Sequence, residues 1–440
     1  VKENMSTTKI GIRREDKNYW ERRVPLIPSD LQELSSEQNL QFTVQPYPRR
    51  TFHDQQFLEA GIPVNEDLSD CRIIMGVKEV PLELLEADKT YIFFSHTIKG
   101  QSYNMPLLQH VLDHNITLID YELIVDELGK RLVFFGPYAG YAGMINSLSA
   151  LGARLQTEGI DTPFARLQGA YTYDSLEEAR TVIRGIGEEI AEKGLPAALS
   201  PMVVGFTGYG NVSQGAQSIL DLLPVKEISP EELITGKLEQ GNGAILKVVF
   251  QEEHMVQRRD GGPFELQTYY DKPELFQSVF QEYLPRLDML INAVYWDERY
   301  PRLVTKEYLR SAWAQPEAPR LKVIGDISID IEGSVECSYK ATLSDNPCYV
   351  YEPVQNRFTD GVAGNGPVIM AVDNLPCEIP RESSEDFSRT LKPFLPEIAA
   401  ADWQLPLDRL ILPQPVHKAI ITHQGKLAPA WEHLKQFLSV

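Results

Sequence analysis

Short apolar runs alternate with helix-length amphipathic stretches through the first 135 residues. Strands are predicted at residues 9–13, 42–46, 71–78, 91–96, 116–122 and 131–135, each an apolar run of strand length bounded by polar or turn-forming residues. Between them the pattern shifts to the helical period, most clearly over 104–114, where Leu107, Leu108, Val111 and Leu112 share a face. Strand, helix, strand in repetition predicts a largely parallel sheet in an α/β layer fold.

Residues 139–159 are rich in Gly, Ala, Leu and Met, which suits a close-packed connecting helix, and 175–194 reads as an amphipathic helix capped by Ser175. A second series of strands is predicted at 202–207, 225–228, 245–250, 289–296, 321–327 and 348–351. The segment 230–272 is long for a connection, and its Glu-, Gln- and Gly-rich part, 230–262, reads as a surface insertion. After it come an apolar run at 368–372 and helices around 385–401 and 405–412, expected to return to the first domain.

The chain has 440 residues, enough for two or three cores, and 43% hydrophobic with 24% charged residues is ordinary for a globular protein. Its net charge of −20, without a dense Lys and Arg run, disfavours nucleic acid and anionic membranes and favours small molecules as partners. Cys71, Cys337, Cys348 and Cys377 form no C-x-x-C, so a reduced, cytoplasmic protein is expected. No stretch has the length of an apolar membrane span, and residues 1–8 lack the apolar core of a secretory signal.

The strongest local signal is an apolar strand that runs into Gly208-Tyr209-Gly210-Asn211-Val212-Ser213, followed by Gly215-Ala216 and an amphipathic stretch through Ile219, Leu220 and Leu223. One glycine permits the tight turn, the next lets backbone N–H groups approach a pyrophosphate, and the small pair allows close helix packing. The spacing departs from G-x-G-x-x-G, and it is the strand-turn-helix setting that points to a dinucleotide. Further on, Lys226, Glu227 and Ser229 fall where a ribose 2′-OH or 2′-phosphate is expected, and they leave the choice of cofactor open. Arg258 and Arg259 either meet such a phosphate or face water.

Arg13-Arg14-Glu15-Asp16 and Trp20-Glu21-Arg22-Arg23 concentrate charge just after the first strand, where they read equally as a carboxylate-binding group or as a solvated cluster. Lys78 and His96 each end an apolar run, the position from which a parallel strand delivers a side chain to a ligand crevice. Lysine lowered by its surroundings and histidine can both transfer protons, although either residue singly also reads as a capped strand end. Glu79, Gln101, Asp120 and Glu122 follow the same strands. Asp326, Asp330, Glu332 and Glu336 lack a nearby His or paired Cys and read as a loop, so no metal is expected. The chain has no G-x-S-x-G, H-E-x-x-H or Walker loop.

These runs, with Gly76-Val77-Lys78, Phe93-Phe94-Ser95-His96-Thr97, Leu118-Ile119-Asp120-Tyr121-Glu122, Tyr138-Ala139-Gly140, Tyr295-Trp296 and Asp373-Asn374-Leu375-Pro376, resemble the lysine-ketoglutarate reductase domain of the α-aminoadipic semialdehyde synthases. More distantly the chain resembles fungal lysine-forming saccharopine dehydrogenase and alanine dehydrogenase. The resemblance implies two Rossmann-like α/β domains with parallel sheets and a cleft between them, the second inserted into the first. Residues 1–138 with 368–440 would be the substrate domain and 139–367 the dinucleotide-binding domain.

The resemblance also implies condensation of L-lysine with 2-oxoglutarate to saccharopine, using NADPH, with NADH as the alternative. Lys78 and His96 take the family's acid-base positions, and Arg23 in the Glu21-Arg22-Arg23 motif takes the position that grips a substrate carboxylate. Glu79, Gln101, Glu122 and Asp373 line the same site, and Gly208, Gly210, Asn211, Val212, Ser213 and Gly215 hold the cofactor. The competing readings are a related amino-acid or opine dehydrogenase acting on another amine and a catalytically silent nicotinamide-binding sensor. The second enzyme fused to this domain in animal and plant proteins has no counterpart in the sequence, which makes a separate saccharopine-oxidising enzyme, an excised domain or an altered substrate the expected explanations. A homo-oligomer is compatible with all of them.

Overall fold

In the computed structural model, which describes residues 8–236 and 245–438, the first strands are β1 (Ile10–Ile12), β2 (Phe42–Val44), β3 (Ile73–Met75), β4 (Thr90–Phe93) and β5 (Thr117–Asp120). They are parallel and buried throughout, which is why they read as continuous apolar runs. Their order across the sheet is β2-β1-β3-β4-β5. The chain therefore starts in the middle, builds β2 on one side and then crosses to β3 on the other. That reversal between β1 and β3 opens a crevice at the carboxyl ends of the strands, the usual ligand position in such sheets.

The second unit, Gly136–Ile379, has its own sheet. Its strands are β6 (Met202–Thr207), β7 (Val225–Glu227), β8 (Ile245–Phe250), β11 (Met289–Asn292), β12 (Val323–Asp326), β13 (Cys348–Glu352), β14 (Arg357–Asp360) and β15 (Val368–Met370), and a small hairpin pairs β9 (Val256–Arg258) with β10 (Phe276–Ser278). The order is β14-β13-β15-β12-β11-β6-β8-β7, parallel except for the pairings that β13 makes. The segment expected to be a surface insertion is thus largely structural: β8 lies between β6 and β7 and leaves β7 at the edge of the sheet. Its middle, 237–244, and the chain start read above lie outside the described residues.

The helix Gly136–Thr157 packs against the helix Asn211–Leu220 that follows the glycine turn. A Cβ on Gly140 would stand 2.1 Å from the Val212 carbonyl oxygen, and one on Gly215 would stand 2.4 Å from that of Pro137. Gly215 therefore serves contact between two helices rather than between helix and strand. Ser175 caps the helix Leu176–Lys193, its hydroxyl accepting from the Glu178 N–H at 3.1 Å.

The chain rejoins the first unit at Pro380. The expected return at 368 comes too early because β15 pairs with β12 and β13 in the second sheet. Two further strands, β16 (Ile420–His423) and β17 (Lys426–Leu427), extend the first sheet, β16 running antiparallel to β5. They occupy the edge beside β5, and the strand expected at 131–135 is reduced to an isolated bridge at Arg131, while Phe135 stacks on Phe387 with ring centroids 4.5 Å apart. The helix expected at 405–412 is a single turn, Leu407–Arg409, because Pro406 and Pro413 bound it.

Gly140→Val should destabilise the second unit by about 1–3 kcal/mol, since the added side chain meets backbone that cannot rotate away. Chemical denaturation measures it, and an unchanged midpoint would mean that the helix pair is looser than described.

Candidate active site

At the carboxyl edge of the first sheet, backbone bonds carry the ladder beyond the strands, from Arg13 N–H to the Met75 carbonyl at 2.9 Å and from Phe94 N–H to the Val77 carbonyl at 3.0 Å. Lys78 after β3 and His96 after β4 consequently belong to neighbouring strand ends. Glu15, with 2% of its surface exposed, closes the row from the β1 side. Its two carboxylate oxygens accept the Val77 N–H at 2.7 Å and the Lys78 N–H at 2.9 Å. Burial, then the neighbouring Glu21 charge, pushes its pKa up to about 7, although Arg13 and the two N–H groups pull the other way.

His96 has φ of +53°, a left-handed conformation that costs a non-glycine residue about 1–3 kcal/mol. Its surroundings hold it there. Asn104 donates to the His96 carbonyl at 2.8 Å, and Asp120 takes the preceding Ser95 through its N–H at 2.9 Å and its hydroxyl at 2.6 Å. Asp120 is buried, and desolvation raises its pKa. The imidazole Nε2 lies 3.7 Å from Glu79 Oε1, and Glu79 Oε2 lies 3.4 Å from the Lys17 ammonium. Lys78, Glu79 and His96 are all half-buried, within reach of both solvent and one another's strand ends.

Arg23 is 2% exposed and pairs side-on with the fully buried Glu21, Nε to Oε1 at 2.8 Å and Nη2 to Oε2 at 2.5 Å. Its guanidinium also lies over the Phe135 ring, 4.2 Å from the centroid. A ligand carboxylate reaching Arg23 would share it with Glu21. Arg13, 5% exposed, gives Nη2 to Asp16 and keeps a buried Nη1 without a hydrogen-bond partner. Glu122, following Asp120, pairs with Arg131, and Gln101 is exposed, accepting from the Tyr103 hydroxyl at 2.9 Å. Asp373 is an exposed residue of the second unit. Sequence reasoning did not separate Glu15 and Arg13 from the surrounding charge; the only signal was their position just past an apolar strand.

In the second unit, Gly208 has φ of +81°, so the turn after β6 requires glycine there. A Cβ on Gly210 would meet nothing within 4 Å, so space lies open over the turn. Asn211, Val212 and Ser213 form the first turn of the following helix, where backbone N–H groups lack intrahelical acceptors. An open glycine turn leading into a helix start fits a pyrophosphate.

The expected ribose position needs correction. Because β7 is the edge strand, Glu227 points its exposed carboxylate at Lys247, 3.0 Å away, and Ser229 caps the helix Pro230–Thr235. The strand beside β6 is β8, and its end leads to Gln251 and Glu252. Of the carboxylates after β12, Asp326 is buried and accepts from Asn292 at 2.8 Å and Ser338 at 2.5 Å, while Glu332 pairs with Lys306 at 2.6 Å. Among the described residues, no group of three or more His, Cys, Asp or Glu is placed to hold a metal ion, and no helix is long and apolar enough to cross a membrane.

Two α/β units, each with its own largely parallel sheet, define the fold class of the alanine dehydrogenases. Residues 11–142 match the alanine dehydrogenase/PNT N-terminal domain and residues 247–430 the corresponding C-terminal domain, so the chain carries both domains of that family. It is 38% identical to α-aminoadipic semialdehyde synthase of Arabidopsis thaliana over 97% of its length, which is 41% of that relative. The chain thus spans less than half of that synthase. It is 27% identical to the NAD(+), L-lysine-forming saccharopine dehydrogenase of Neurospora crassa, over 91% of the chain and 93% of the relative. The solved structure of an L-alanine dehydrogenase shares the fold, with a TM-score of 0.60 at 18% identity, covering 98% of this chain and all of that one.

Glu15 gives a pH test. Its folded pKa is raised from 4.5 to about 7, so its contribution to stability is complete below about pH 4.5 and is lost as the pH rises to about 7. Glu15→Gln should lack this loss, and urea midpoints at pH 4.5 and 7.5 should differ less in the variant than in the parent chain. Equal differences would place Glu15 in a better-solvated setting.

Proposed function

We propose that the chain is a lysine-ketoglutarate reductase that joins L-lysine to 2-oxoglutarate and reduces the product to saccharopine. The similarity to the synthase along 97% of the chain supports the reading, and the relatives support an oxidoreductase acting on amino acids at a CH–NH bond. The single observation that carries it is the grouping of Lys78, Glu79 and His96, backed by Glu15, at the β1/β3 reversal.

The chemistry needs an uncharged ε-amine to attack the keto carbon, a proton for the oxygen that leaves as water, and cations to hold the acid groups. Lys78 and His96 share the proton transfers, and Glu79, 3.7 Å from the His96 Nε2, keeps the ring oriented. Lys78 also stands ready to polarise the keto oxygen. Arg13, with its unpartnered Nη1, and the Glu21-held Arg23 receive carboxylates of 2-oxoglutarate. Glu122 and Gln101 complete the first unit's lining toward the polar ends of lysine. Gly208, Gly210 and the helix start Asn211, Val212 and Ser213 would hold a reduced nicotinamide dinucleotide, which would supply the hydride. In this reading the first unit is the substrate domain and the second the dinucleotide domain. An enzyme that oxidises saccharopine would consume the product, and the described cysteines, all free and buried, suit a reducing compartment such as the cytoplasm.

Purified protein with L-lysine, 2-oxoglutarate and reduced nicotinamide should lose absorbance at the reduced-cofactor band only when both substrates are present, with saccharopine identified by mass. Oxidation with a different amine would move the reading to a related amino-acid or opine dehydrogenase. Lys78→Met and His96→Gln should each lower kcat by about 100-fold or more while circular dichroism is unchanged. Wild-type kcat in both variants would remove these residues from the chemistry.

A further inference from the structure

The strand order of the second sheet carries a consequence for the cofactor. In folds of this kind the adenosine ribose lies at the end of the strand next to the one that feeds the glycine turn, and the side chain there distinguishes a free 2′-OH from a 2′-phosphate. Here that strand is β8, since Met202 through Thr207 of β6 pair in register with Ile245 through Phe250. Two residues beyond its end stands Glu252.

Glu252 lines a cavity of about 290 Å³ together with Tyr209 and Gly210 of the glycine turn and Val294 and Tyr295 after β11. Its Oε1 accepts the Tyr270 hydroxyl at 2.9 Å, which fixes the carboxylate while leaving it further acceptor capacity. Tyr209, Tyr269 and Tyr270 give the same cavity aromatic walls suited to a purine.

The cations nearby in sequence are engaged elsewhere. Arg258 is bound side-on by Asp260 at 2.9 and 2.6 Å, and Arg259 donates to the Glu274 carbonyl at 3.3 Å and lines a different groove. His254 accepts the Gln251 N–H on Nδ1 at 3.0 Å and faces Glu231 at 3.7 Å with Nε2. Lys247 is taken by Asp221 and Glu227 at 2.9 and 3.0 Å. Among the described residues, none of the cavity's lining is Lys, Arg or His.

We infer that Glu252 accepts the adenosine ribose hydroxyls of the bound dinucleotide and makes the chain select NADH over NADPH. A carboxylate gains two O–H donors from the diol of NADH, whereas the 2′-phosphate of NADPH brings no donor and one more negative charge into a pocket without a cation. This reverses the NADPH preference implied by the family resemblance. It rests on the dinucleotide-binding reading of the second unit and not on the identity of the amine.

The test is direct binding, read by the fluorescence of the reduced nicotinamide, with NADH and NADPH titrated separately into the full chain and into Glu252→Gln and Glu252→Arg. The parent chain should bind NADH at least about tenfold more tightly than NADPH. Glu252→Gln should narrow that ratio by weakening NADH and strengthening NADPH, and Glu252→Arg should bring NADPH level or ahead. Tighter NADPH binding by the parent chain, or a ratio unmoved in both variants, would overturn the assignment of Glu252. Failure of both cofactors to bind would overturn the dinucleotide reading itself and this inference with it, whereas NADH binding without lysine-dependent turnover would refute only the proposed reaction and leave Glu252 supported.

Discussion

A carboxylate removed from water can persist in a fold only if other groups replace its solvation, and Glu15 organises the first unit around that demand. Its oxygens are met by the backbone N–H groups of Val77 and Lys78, just past β3, so satisfying the buried charge also ties the end of β1 to the end of β3. These are the two parallel strands between which the strand order reverses. The backbone carrying Lys78 is therefore fixed by the requirement that stabilises Glu15. Asp120 repeats the device one strand further along, holding Ser95 through two hydrogen bonds and Glu122 through its N–H, so the strained His96 is flanked by a pinned neighbour. The strain at His96 is supported by bonds that the loop would lose on relaxing.

The second unit solves a different problem by different means. Its glycines are spent on close approach, with Gly140 and Gly215 letting two helices meet backbone to backbone and Gly208 supplying the left-handed turn. The helix Asn211–Leu220 can then pass over the sheet with its first turn beside an open space at Gly210. Behind the turn, Thr207 bonds Asn292 at 2.8 Å and Asn292 bonds Asp326 at 2.8 Å, a buried polar chain that links β6, β11 and β12. Such a network is stable only when fully joined, and it gives the strand ends one arrangement.

What the sequence disclosed follows from how local each feature is. The parallel strands β1 to β5 and β6, the Ser175 cap and the glycine turn were legible because apolar runs, a cap residue and a turn-forming glycine act within a few positions. Lys78 and His96 stood out as polar residues ending apolar runs. The position of β8 between β6 and β7, the antiparallel β16 and the late return at Pro380 were not legible, since periodicity reports that a strand exists and says nothing of its partner. The loss of the strand expected at 131–135 is the same lesson, because β16 from the far end of the chain takes the place beside β5. Glu227 was placed at the ribose by counting along the chain, a count that holds only when consecutive strands are neighbours.

The charge of the chain joins these points. At a formal net charge of −20, any anionic ligand approaches against a repulsive field, and local groups must reverse it. In the first unit the reversal is made with side-chain cations set beside carboxylates: the buried Glu21 holds Arg23, Asp16 holds Arg13 and the half-buried Glu79 faces Lys17. Each carboxylate offsets the cost of keeping its cation partly out of water, and Arg13 retains an unpartnered nitrogen. In the second unit the glycine turn offers backbone N–H groups, which suffice for a pyrophosphate bound end-on at a helix start. They do not extend to the end of β8, where, among the described residues, the charge on the cavity wall is that of Glu252. The acidic composition that is offset by cations in the first unit is thus left uncompensated beside β8, and a neutral diol, as inferred for Glu252, is the partner that such a wall can accept.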